Sequence, residues 1–389
     1  MSHADWTTDE LRALRATTTA FVDKEVLPHQ DGWEEAGELP RALHLAAGRL
    51  GLIGVAFPES AGGGGGGQRA AVTVAEALHE AGAAAGVYAS LFTAGIACPH
   101  IVAAGDKTQI DRWVAPTLAG ELIGALGITE PGGGSDVGGL RTTARRDGDH
   151  YVVGGSKTFI TSGVRADFVT TAVRTGGGEL RGARGLSLLV IERDTPGFEV
   201  SRRLAKMGWR CSDTAELSFT DVRVPVENLV GPENAGFLLI GRAFLSERIA
   251  LAVQAYSQAQ RCLDLATAWC RDRTTFGAPL ISRQGVQTTL VEMARRIDVA
   301  RTYTRAVVDR YEDGEELADL IPQVCFAKNT ATETGEWVAH QAVQLFGGLG
   351  YMAESEVERQ YRDIRILGIG GGTVEILNDM AARRLGLTA

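Results

Sequence analysis

The sequence has no apolar run approaching the roughly 18 to 20 residues that a membrane-spanning helix needs. Its opening, MSHADWTTDELRALR, lacks a positive stretch followed by an apolar core, so no secretory signal is expected. Cysteine is sparse. The five residues (Cys98, Cys211, Cys262, Cys270, Cys325) form no Cys-x-x-Cys pair. An odd, scattered set suits a reducing cytoplasm better than a disulfide framework, so the expected location is cytoplasmic. The seven histidines include no HExxH pair, and no protein metal site is expected. No G-x-S-x-G elbow is present, which removes support for a serine hydrolase. Positive charge is in deficit: the formal net charge of −9 argues against nucleic acid as the main partner.

What is present is ordinary globular composition, 389 residues of which 44% are hydrophobic and 22% charged, enough for two or three domains. Residues 1–122 read as an N-terminal α-helical domain. Thr7 and Glu10 have capping-box spacing, and Leu11, Leu14, Phe21, Val22 and Val26 then recur at helical intervals. Further helical stretches are expected at 39–50, 69–82, 86–104 and 107–118. Residues 123–232 read as a middle β-domain. HYVVGGSKTFITSG suggests two short strands around Gly154-Gly155, and DFVTTAVRT, LSLLVIERD and AELSFTDVRVP are further runs rich in β-branched residues. Residues 233–389 return to helical patterning. Val286, Leu290, Met293, Ile297, Ala300, Tyr303 and Val307 predict one long helix over about 283–311, whose apolar stripe suits an oligomer interface. Helices, then strands, then helices argue for segregated layers rather than alternating βαβ units.

Glycine-rich segments give three separate readings. Gly62–Gly67 are six consecutive glycines that satisfy G-x-G-x-x-G trivially, after LIGVAF and before a helical run, with Glu80 near the distance of a ribose-binding acid. A nicotinamide dinucleotide fold is the runner-up on that basis. Pro58 and the absence of succeeding strand–helix units favour a flexible surface loop. GGSKT at 154–158 has the composition of a phosphate loop without its spacing, and a hairpin turn explains it better. ITEPGGGSDV at 128–137 is more informative, because Gly132–Gly134 let the backbone approach a ligand and Thr129 and Ser135 add hydroxyls.

That last loop does not stand alone. ITEPGGGSDVGGLRTTARRDGDHYVVGGSKTFITSG and LAKMGWRCSDTAELSFTDVRVP (204–225) resemble the flavin-binding middle domain of acyl-CoA dehydrogenases. RDRTTFGAPLISRQGVQ (271–287) and AVQLFGGLGYMAESEVERQYRDIRILGIGGGTVEI (342–376) resemble that family's adenine-binding and closing segments. The resemblance covers essentially the whole chain and leans towards the long-chain and isovaleryl subgroup. It implies a mostly α fold with a middle β-barrel-like domain and a C-terminal four-helix bundle, assembled as a homotetramer with FAD held between subunits. Carried over, Leu126, Ile128, Thr129, Gly134 and Ser135 line the flavin, and Phe159, Ile160 and Thr161 lie against its ring system. Phe159 stands where most relatives carry tryptophan, so stacking is expected with less ring area. Arg273, Thr275, Gln284, Gln344, Leu345, Gly347 and Gly348 reach a neighbouring subunit's FAD, and Thr373 and Glu375 close the site near its phosphate and ribose.

The resemblance also implies which carboxylate is the base. In many relatives a glutamate directly precedes the glycine-threonine of the closing motif, but Gly370-Gly371-Gly372-Thr373 puts Gly371 there, and glycine takes no proton. In the long-chain and isovaleryl relatives the base lies early in the last domain, before an arginine. FLSERIALAVQA (244–255) supplies Glu247-Arg248 at that place. Arg248 is then expected to contact the acyl-CoA or orient the base, with Ser135 and Gly372 also against substrate. Glu354, Glu356 and Asp363 fall among charged neighbours and read as surface acids. The implied activity is FAD-dependent α,β-dehydrogenation of an acyl-CoA to the trans-2-enoyl-CoA, with electrons passing to an electron-transferring flavoprotein. The alternatives are an oxygen-using oxidase or monooxygenase on the same fold, or a non-catalytic flavoprotein.

Overall fold

The computed structural model describes residues 5–177, 180 and 182–388. Short helices make up the first region, from Asp9–Phe21 through Gly67–Glu80 to Ala115–Leu118. The predicted cap shifts by one residue: the Thr8 hydroxyl accepts from the Leu11 amide, whereas the Thr7 hydroxyl turns back to Asp5. The expected helix over 86–104 is three short ones, Ala85–Leu91, Ala94–Ala97 and Pro99–Ala104, packed into the core. Among the described residues no single helix is long and apolar enough to cross a membrane.

Seven strands form the middle sheet: β1 (Gly124–Gly127), β2 (Thr143–Asp147), β3 (His150–Thr161), β4 (Phe168–Arg174), β5 (Leu186–Glu192), β6 (Phe198–Arg203) and β7 (Thr214–Pro225). They run β1-β4-β2-β3-β7-β6, with β5 on β4, and only the contacts of β4 with β1 and β2 are parallel. Such a mostly antiparallel, curled sheet is not the parallel scaffold of a dinucleotide fold. Nor does the GGSKT segment turn. It runs inside β3, which crosses the sheet as one strand with irregularities at Val153/Gly155 and Lys157/Ile160. Lys157 keeps the inward alternation of Tyr151 and Val153, and its Nζ donates to Ile128 O (3.0 Å) and to Glu130 (2.9 Å).

Gly62–Gly67 are likewise no loose loop. The amides of Gly62, Gly63, Gly64, Gly65 and Gly66 donate to the carbonyls of Glu59, Pro58, Gly54, Phe57 and Val55 at 2.8–3.1 Å. Gly67 has φ +65°, and a Cβ there would stand 2.2 Å from Glu312 Oε1. Glu80 pairs with Arg15 and Arg301, so it is not a free ribose-binding acid.

Three long helices, Gly236–Asp272, Gln284–Glu312 and Leu317–Phe346, pack with Val374–Arg384 into the C-terminal bundle, and Glu356–Ile364 lies across it. The second helix matches the predicted 283–311 within a residue. Asp363 corrects the sequence reading outright. It is fully buried, accepts from the Trp209 and Ala85 amides, and burial together with Glu34 pushes its pKa up to about 6. Glu356 pairs with Arg261.

Glu76 ties the first helix of the chain to the bundle. Its nearly inaccessible carboxylate accepts from Arg15 (2.5 Å), Arg305 (2.7 Å) and the Tyr256 hydroxyl (2.8 Å). Removing one partner of such a group leaves the others buried and uncompensated. Glu76→Ala is therefore expected to lower the unfolding free energy by about 3–5 kcal/mol, read from denaturant unfolding. Arg12→Ala, which breaks the exposed pair with Asp9, should change it by less than about 0.5 kcal/mol. Equal effects would rule out the proposed weight of the Glu76 cluster.

Candidate active site

A cavity of about 840 Å³ opens where the N-terminal helices, the sheet and the first bundle helix meet. Leu126, Ile128, Thr129, Gly134 and Ser135 line it from the end of β1 and the loop that follows. Phe159, Ile160 and Thr161 enter from β3, and Gly372 and Thr373 from the closing segment. The wall is held by a buried ion pair. Although burial pushes the Glu130 carboxyl up, hydrogen bonds from Lys157, Thr142 and Arg141 bring it down to about 2. The carboxylate thereby fastens the glycine loop to β3. Phe159, at φ +60°, turns its ring out of the sheet and leaves it 68% exposed.

Glu247 lines the same cavity from the fourth turn of the helix Gly236–Asp272. It is half-buried. Burial raises its pKa to about 7, against the pull of the Arg248 and Lys328 charges. Arg248 lies behind the wall and does not line the cavity: its guanidinium donates to Gly371 O (3.0 Å) and sits over the Phe244 ring. Lys328, from the helix Leu317–Phe346, donates to Gly372 O (2.8 Å). Its burial and the nearby Arg248 lower its pKa to about 8. Two buried cations thus tie the closing loop down beside the carboxyl group. Gly371 has φ +65°, and a Cβ there would stand 3.6 Å from Glu247 Oε1 and 2.5 Å from Leu251 Cδ1. Positions 247 and 371 therefore face one point in space, although 124 residues apart (371 − 247).

The other expected cofactor residues lie elsewhere. Arg273 caps the far end of the Glu247 helix, over the Trp269 ring, followed by Thr275 in the small hairpin Thr274–Thr275/Ala278–Pro279. Gln284 opens the second bundle helix. Gln344, Leu345, Gly347 and Gly348 are at the end of the third, where Leu345 O accepts from Trp269 Nε1 (3.1 Å). These residues gather at one mostly exposed end of the bundle. Thr373 caps the last helix, its hydroxyl accepting from the Ile376 amide, and Glu375 is exposed. Sequence reasoning missed Lys157, Lys328 and Gln254. Gln254 alone carried a signal, its place seven residues after Glu247 on one helical face. Lys328 had none, since only the packing of two distant helices brings it to the loop.

Family comparisons match residues 8–121, 125–222 and 234–386 to the acyl-CoA dehydrogenase N-terminal, middle and C-terminal domains. The mitochondrial long-chain specific acyl-CoA dehydrogenase of Rattus norvegicus is 37% identical over 373 residues, 96% of this chain and 85% of that protein. A crystal structure from Mycobacterium smegmatis, provisionally named an acyl-CoA dehydrogenase, is 66% identical with TM-score 0.97, covering 99% of this chain and 100% of that one. A glutaryl-CoA dehydrogenase of Mycobacterium smegmatis, solved in complex with FADH2, is 25% identical with TM-score 0.90, covering 99% and 96%.

The raised Glu247 pKa is also a statement about stability. The native state holds this proton more tightly than the unfolded chain, whose pKa is near 4.5, so stability is lost as pH rises from about 4.5 through about 7. Glu247→Gln carries no such penalty. Its melting temperature should exceed that of the wild type at pH 8, and the gap should close below about pH 4.5. A gap that is constant across this range would mean the carboxyl titrates normally.

Proposed function

This chain belongs to the acyl-CoA dehydrogenase family, and from that premise we propose that Glu247 is the base that removes the proton from the carbon beside the thioester carbonyl. The family is FAD-dependent and oxidises a CH–CH bond of an acyl-CoA. The cavity suits such a cofactor. Phe159 offers an uncovered ring face, and open space stands where side chains at Gly132 and Gly133 would be. Thr129 and Ser135 add hydroxyl partners for a flavin's polar edge. A flavin bound there supplies the hydride acceptor for the β-hydrogen.

The observation that carries the assignment is the meeting of Glu247 with the space beside Gly371, in a pocket that raises the carboxyl's proton affinity to about 7. A base works best when its pKa lies near the operating pH. A side-chain oxygen of Glu247 takes the α-proton, and Arg248 and Lys328 keep part of the population ionised while holding the loop against it. Arg248 acts as a positioning residue here, since its guanidinium is spent on Gly371 O. Ser135 and Gly372 line the same cavity, and we assign both to the acyl group.

The bundle end needs a second copy of the chain. Arg273 lies 26 residues beyond Glu247 (273 − 247) on one continuous helix. At helical rise that is about 39 Å, too far to serve the same chain's cavity. We assign Arg273, Thr275, Gln284, Gln344, Leu345, Gly347 and Gly348 to a neighbouring subunit's FAD, with Thr373 and Glu375 at the near side, in a homotetramer. The electron acceptor is an electron-transferring flavoprotein.

Glu247→Gln is expected to retain bound FAD and to slow anaerobic flavin bleaching by acyl-CoA about a hundredfold to ten-thousandfold. A near-normal bleaching rate would show that another acid is the base. Moving the carboxylate to position 371 in that background should restore part of the bleaching, and more of it when Leu251 is also cut back. Gly371→Glu with Leu251→Ala should bleach faster than Gly371→Glu alone, because a Cβ at 371 stands 2.5 Å from Leu251 Cδ1, whereas the positive φ at 371 strains both variants alike. Light scattering of the FAD-loaded protein should show an oligomer, and a flavin-replete monomer would remove the shared site.

A further inference from the structure

The cavity continues past Glu247. Leu251 and Gln254 follow on the same helical face, four and seven residues on, and both line it. Seven residues of helix place Gln254 about 10 Å from Glu247. Gln254 is 3% exposed; its Oε1 is sealed away from the cavity, so what the amide can present there is Nε2, a donor. Buried amides are ordinarily satisfied, so an unpaired Nε2 donor on a cavity wall marks a place for an acceptor oxygen of a ligand or water. The Tyr88 and Tyr311 phenols and Gln68 line the same cavity and add polar groups to a largely apolar enclosure. Burial raises the pKa of both phenols, which keeps them as neutral donors. None of the lining residues is a lysine or arginine.

We propose that the distal cavity selects acyl thioesters bearing an uncharged hydroxyl or keto group about eight bonds beyond the carbon that faces Glu247, with the Gln254 amide as its partner. This rests on the acyl-CoA reading of the cavity. An unsubstituted alkyl chain of that length leaves the Gln254 amide unpaired. A terminal carboxylate would enter without a cation to meet it, which distinguishes this cavity from one built for a dicarboxylic acyl group.

The test is anaerobic flavin bleaching of the FAD-loaded protein by decanoyl-CoA, ω-hydroxydecanoyl-CoA and decanedioyl-CoA. The wild type is expected to favour ω-hydroxydecanoyl-CoA over decanoyl-CoA by about tenfold in kcat/KM and to disfavour decanedioyl-CoA. In Gln254→Met, which keeps the side-chain length, the hydroxyl-to-alkyl ratio should fall to about one. Tyr88→Phe, which keeps the ring, repeats the measurement if that variant does not retain FAD, and should also reduce the ratio. Bleaching by decanoyl-CoA with one unchanged ratio in wild type and variants overturns the assignment and leaves the dehydrogenase reading standing. Absence of bleaching by all three thioesters overturns both.

Discussion

The site depends on two buried cations that each grip one carbonyl of the closing loop, Arg248 on Gly371 O and Lys328 on Gly372 O. A loop of three glycines has little of its own to define its path. Charge-assisted bonds from two different helices give it one. The same two charges bear on Glu247, where they oppose the effect of burial and hold its proton affinity near neutrality. Loop position and acid strength are therefore set by one cluster. A perturbation of the Lys328 helix would reach the carboxyl group without touching it.

On the opposite wall, Lys157 and Glu130 do comparable work for the glycine loop after β1. The extra residue of β3 comes just after Lys157, where Phe159 takes φ +60° and turns outward, while Lys157 keeps the inward alternation of Tyr151 and Val153. A surface loop with three glycines becomes a wall of fixed shape because the acid beside it is anchored at both oxygens.

Much of this was legible in the sequence. Helical spacing located the long bundle helix to within a residue, and β-branched runs located β3, β4, β5 and β7 but not β1, β2 or β6, because both patterns follow from which face each element buries. The pairing of Glu247 with a glycine at 371 could be read as a correlated exchange, and a side chain at 371 would start 3.6 Å from Glu247 Oε1. Other features were hidden. Asp363 sits among charged residues in sequence yet is wholly buried, since its helix crosses the bundle and turns that one side chain inward to two backbone amides. Lys157 looked like part of a turn, since a strand irregularity and a turn draw on the same residues. Lys328 and Gln254 needed tertiary neighbours to acquire meaning.

The six-glycine tract has a consequence for how this gene can vary. A run of one residue looks like a spacer, indifferent to gaining or losing a unit. Here every position has its own address: five successive amides meet five particular carbonyls, and Gly67 takes φ +65° beside Glu312, which accepts from the Gln68 amide. Adding or deleting one glycine shifts every later assignment and misplaces the start of the helix that carries Glu76. The repeat is monotonous in letters but fixed in length, so a slippage event during copying would be felt as sharply as a substitution in the core.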